Sequence, residues 1–72
     1  MEATLDEVGT MLRHMRERQR ATLQEVAHRA GLSYSFVAAI ERGEKQPSLE
    51  TLQRLADVYG HKVTVKMEPI PA

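Results

Sequence analysis

Thr22-Leu23-Gln24-Glu25-Val26-Ala27-His28-Arg29-Ala30-Gly31-Leu32-Ser33-Tyr34-Ser35-Phe36-Val37-Ala38-Ala39-Ile40-Glu41-Arg42-Gly43 reads as two short helices with almost nothing between them. Thr22 and Glu25 form a capping box: the hydroxyl accepts from the main chain three residues on, and the carboxylate reaches back. Leu23, Val26, Ala27 and Ala30 then make one apolar face. Gly31 is free to adopt a positive φ and end the helix. Only Leu32 separates it from the next cap, Ser33. The second helix runs from Tyr34 to Arg42, turns Val37 and Ile40 inward, and stops at Gly43.

Upstream, Leu5, Val8, Leu12 and Met15 recur at helical spacing, predicting an amphipathic helix over 4–19. Gly9 inside it signals a close packing contact. Downstream, the polar loop Glu44-Lys45-Gln46-Pro47 leads to Ser48, the cap of a fourth helix. That helix buries Leu49, Leu52, Leu55, Ala56 and Tyr59 and stops at Gly60. The period then changes. Val63, Val65 and Met67 alternate with Lys62, Thr64 and Lys66, predicting a half-buried strand that Pro69 and Pro71 terminate.

Two short helices joined by a tight glycine turn make a helix-turn-helix candidate. Ala27 is small where the helices cross, Gly31 lies in the turn, and Val37 with Ile40 packs the second helix on the first. Such a crossing leaves the second helix protruding, able to enter a major groove about 12 Å wide. Across residues 12–60 the sequence resembles the Cro/phage-repressor-type (Xre) helix-turn-helix domain. The runs Ile40-Glu41-Arg42-Gly43 and Pro47-Ser48-Leu49-Glu50-Thr51-Leu52 carry the resemblance most specifically. It implies a lambda-repressor-like helical bundle that binds operator DNA as a dimer, with 23–30 across the backbone and 33–42 as recognition helix.

By position, the resemblance puts Tyr34, Ser35, Ala38 and Ala39 toward the bases. Phosphate candidates are Thr22, Gln24, Arg29, Phe36, Arg42, Lys45, Gln46 and Ser48. Phe36 is open to two readings, a core filler or a wedge against the sugar-phosphate backbone. Leu23 stands where the family often has a phosphate-touching glutamine, so Gln24 or Thr22 must substitute. Ala39 replaces a long polar reader and offers only apolar contact to a thymine methyl. Arg16 and Glu41 are implied to be a partly buried ion pair, structural rather than DNA-contacting. Arg13, Arg18, Arg20 and Arg54 read as solvated-face residues, with Arg20 still in reach of a phosphate.

Charge and composition agree. The 72 residues carry ten Lys/Arg and ten Asp/Glu, yet residues 1–12 hold a net −3 and residues 13–45 a net +3. A basic middle is what local phosphate contact requires; the neutral total speaks against an unselective polycation. Cysteine is absent, which excludes disulfides and thiolate metal sites. His14, His28 and His61 show no metal-ligand spacing, and no nucleophile–base pair can be drawn, so neither enzyme activity nor a metal or other cofactor is expected. No apolar run is long enough for a membrane span, the acidic start is no signal peptide, and a cytoplasmic location is expected.

The expected architecture is thus all-α with a short C-terminal β-strand. Residues 1–60 form the DNA-binding domain with the motif at 23–42, 61–68 the dimerisation strand, and 69–72 a tail. A lone strand leaves its edge unpaired. Pairing with the same strand of a second copy across a two-fold would bury Val63, Val65 and Met67. It would also enlarge a core that is marginal at this length. The function expected is a homodimeric regulator of transcription, most simply a repressor, with double-stranded DNA as partner. Two alternatives stand beside it: an antitoxin that binds both operator and a toxin protein, and a protein-interaction module without DNA binding.

Overall fold

The computed structural model describes residues 1–72. A single 3₁₀ turn, Leu5–Glu7, leads into α1, Val8–Arg18; then follow α2, Leu23–Ala30, α3, Tyr34–Glu41, and α4, Leu49–Val58. Each of the last three starts on a hydroxyl side chain. Thr22 accepts from the Glu25 N–H at 3.0 Å, Ser33 from Phe36 at 3.2 Å and Ser48 from Thr51 at 3.1 Å. Each bond satisfies a main-chain donor that the helix cannot satisfy itself. Gly31 ends α2 at φ 69°, a left-handed conformation that glycine adopts without steric cost.

The core lies where α2 packs on α3 and α4, and α1 on α3. Ile40, Leu55, Val26 and Val37 are its fully buried centre, with Val8, Leu12, Met15, Ala27, Ala30 and Tyr59 around them. Gly9 is needed on α1 because a Cβ there would sit 2.3 Å from the Ile40 carbonyl oxygen and 2.9 Å from that of Glu41. The two helices touch main chain to main chain at that point.

Three expectations are corrected. The first helix does not run evenly from residue 4. Thr4 donates its N–H to Glu7 at 3.0 Å, a second capping box that tightens the start into a 3₁₀ turn. Leu5 is consequently exposed, and so is Leu49 at the first position of α4, where one turn has not yet reached the core. The expected strand over 61–68 is not formed: residues 61–72 hold no regular secondary structure. Beyond His61 no main-chain group bonds another, because a ladder needs a second strand and one chain supplies none.

The tail is held only at its root. The Gln53 amide donates to the His61 carbonyl at 3.2 Å and accepts from the Val63 N–H at 3.0 Å, standing in for a neighbouring strand's peptide. Val63 is half-buried there, while Val65 and Met67 are exposed. The Cα radius of gyration, 12.5 Å, exceeds the roughly 11 Å usual for this length because the tail lies outside the bundle.

Candidate nucleic-acid interface

The α2–α3 unit presents the first turn of α3 outward. Tyr34 and Ser35 are exposed, while Val37 and Ile40, on the opposite side, are buried. Ala38 and Ala39 do not share the open face. At 6% and 7% exposure they offer little surface of their own, so Tyr34 and Ser35 are the open positions of the four. A methyl side chain is too short to climb past the neighbouring turn and loop. Phe36 is half-buried and packs on the core, the filler of its two readings.

The phosphate candidates divide. Gln24, Arg29 and Lys45 are exposed with no side-chain hydrogen bond in the chain. Thr22 and Ser48 cap helices: the Ser48 hydroxyl both accepts from and donates to Thr51, while the Thr22 hydroxyl accepts from Glu25 and keeps its own hydrogen free to donate. Gln46 donates to the Leu5 carbonyl at 3.1 Å, tying the loop before α4 to the N-terminal turn. Arg42 holds Glu44 through Nε at 2.6 Å and Nη2 at 3.1 Å. That pairing raises the guanidinium above its ordinary pKa and holds the Glu44 carboxyl below the usual range.

Arg16 and Glu41 form the ion pair that the resemblance implies. Nε donates to Glu41 Oε2 at 2.9 Å and Nη2 to Oε1 at 3.0 Å, a two-pronged fork. Nη1 donates to the Ala21 carbonyl at 3.0 Å. One guanidinium therefore binds α1, the turn before α2 and the end of α3. The side chains are 17% and 6% exposed, so solvent screens the pair little. The hydrogen bonds to Glu41 push Arg16 above its ordinary pKa against the opposing effect of burial.

Two arginines read above as solvated-face residues are exposed as expected and border open depressions. Arg13, assigned above to a solvated face, borders an open depression of about 280 Å³ with Arg16, Leu23, Ala38, Glu41 and Arg42. Arg13 and Arg16 lie three apart on one helix, hence on one face. Arg54 lies opposite Arg29 across a second depression, with Ala30, Asp57 and Val58. His14, His28 and His61 are all exposed.

This geometry is that of a helix-turn-helix domain, and comparison with known proteins agrees. Residues 7–64 match the family described as Helix-turn-helix domain, and the chain belongs to that family. It is 39% identical over 59 residues to the HTH-type transcriptional regulator DdrOP3 of Deinococcus deserti, an alignment covering 82% of this chain and 46% of that one. It is 37% identical over 57 residues to the immunity repressor protein of Bacillus phage phi105, covering 79% and 40%. The chain thus spans less than half the length of these curated relatives. Among solved structures it is similar to the restriction-modification controller protein C.AhdI from Aeromonas hydrophila, with TM-score 0.76, 29% identity and coverage of 81% and 88%. No helix of this chain is long and apolar enough to cross a membrane.

Proposed function

We propose that the chain is a sequence-specific DNA-binding regulator of transcription, acting as a repressor in homodimeric form on a two-fold-symmetric operator. The observation that carries this is the exposed first turn of α3, with Tyr34 and Ser35 free, on a helix whose other face is locked into the core. Relatives named as transcriptional regulators and as a phage immunity repressor support it. Tyr34 and Ser35 meet base edges; Gln24, Arg42 and Lys45 lie along the phosphate track. With Ala38 and Ala39 withdrawn, few side chains remain to read bases. Sequence-dependent groove shape therefore carries a large share of the selectivity.

The second copy joins through the tail. Val65 and Met67, two apart in the sequence and so on one face of a strand, are 68% and 93% exposed. Pairing with the same segment of a partner covers both and supplies the missing ladder. Two α3 helices then stand about one DNA turn apart, roughly 34 Å. Selection of bound duplexes from a random pool tests the reading. A palindromic site with half-sites spaced by about 10 base pairs is expected; recovery of no preferred sequence overturns it. Val65→Asp, followed by light scattering, should leave a folded monomer, and an unchanged dimer would remove the tail from the interface.

A further inference from the structure

Arg13, Arg16 and Arg42 converge on one depression whose floor is Leu23 and Ala38. Their engagements differ. Arg16 is closed: Nε, Nη1 and Nη2 all have partners. Arg13 donates only through Nε, to Glu17 at 3.4 Å, and both of its terminal nitrogens are free. Arg42 keeps Nη1 free. The two carboxylates concerned, Glu17 and Glu44, are half exposed or more and do not line the depression. Such exposed pairs are weak and exchange readily for a better anion. Glu41, the one acid in the wall, is already neutralised by Arg16.

We propose that this depression is a phosphodiester site, in which Arg13 and Arg42 close from either side on a single DNA phosphate above Leu23. The proposal rests on the DNA reading above and adds Arg13 to it. It also answers what Leu23 leaves open: the first residue of α2 cannot hold a phosphate, but its apolar side chain forms a floor that two planar guanidinium groups can flank. Arginine suits this because its fork matches phosphate oxygens and it sheds water more readily than lysine. Glu17 and Glu44 serve as resting partners that hold the two side chains near the site until a duplex arrives.

The test uses the full chain and a duplex recovered by the selection, together with a scrambled duplex of equal length. Arg13→Gln and Arg42→Gln should each weaken binding of the dimer about a hundredfold, tenfold for the charged hydrogen bond lost in each protomer. The loss should be similar on both duplexes, since a phosphate carries no sequence. The double variant should flatten the plot of log K against log salt by about two, the signature of one phosphate lost in each protomer of the dimer. Arg54→Gln, on the other depression, should change neither quantity, and melting curves of all variants should match the parent. Parent binding with unchanged affinity in both single variants overturns the clamp alone. A flattening of about four overturns the sharing of one phosphate. Absence of salt-dependent DNA binding by the parent overturns the DNA reading and the clamp with it. Inorganic phosphate distinguishes the source. Millimolar saturation of the free chain that disappears in the double variant would make this a free-anion site and refute the proposal; no saturation supports it.

Discussion

At the scale of single residues, Arg16, Glu41 and Gly9 decide how α1 meets α3. Glu41 is nearly buried and its only charged partner is Arg16. Glu41→Ala should lower stability by about 3–5 kcal/mol, because it strands a guanidinium away from water. Glu17→Ala, on the exposed pair with Arg13, should change it by less than about 1 kcal/mol. Thermal melts of the two variants make the comparison, and equal shifts would deny the buried pair its role. Gly9→Ala should cost about 2–3 kcal/mol. Its new methyl meets the carbonyl oxygens of Ile40 and Glu41, which cannot rotate away as a side chain can. Denaturant titration with an unchanged midpoint would refute the close approach.

At the scale of elements, the turns are set by side-chain chemistry in two cases and against local preference in one. Thr22 and Ser33 cap α2 and α3 as their sequence positions predict. Arg20, between α1 and α2, instead takes φ 55°, the one non-glycine residue in the left-handed region. The Arg16 bond to Ala21 holds that turn closed. Arg20→Gly should therefore raise stability by up to about 1 kcal/mol, the left-handed penalty of a side chain less the entropy that glycine forfeits. A lower melting temperature would show that Arg20 makes a contact worth more than its strain. The helices were legible in the sequence because their starts and stops are local chemistry and their apolar faces have one period. The interior of α3 was not. Ala38 and Ala39 count as outward by position, but how much of an alanine stays open depends on the length of its neighbours, which spacing does not encode. The strand was misjudged for a related reason: alternation describes a segment fit to pair, and pairing belongs to whatever lies beside it.

At the scale of the whole molecule, Tyr59 reports on the bundle's closure. Burial, with help from the Glu41 carboxylate and against Arg16, pushes its phenol up to about 12. An unfolded tyrosine ionises near 10. The folded form holds the proton longer, so the stabilisation is complete below about pH 10 and disappears as pH rises from there toward 12. Relative to Tyr59→Phe, which has no phenol to ionise, the parent's melting temperature should fall across that window; a constant difference would mean the phenol is not enclosed. Arg16 has a wider consequence. One guanidinium joins three segments, so α3 cannot tilt relative to α1 and α2 unless several charge-assisted bonds break together. On the DNA-binding reading proposed above, α3 is therefore aimed before any duplex is met, and little ordering entropy remains to be lost on docking. On the same reading, an operator whose grooves depart from that aim must itself bend to fit, and the energy of the misfit falls on the nucleic acid rather than on the protein.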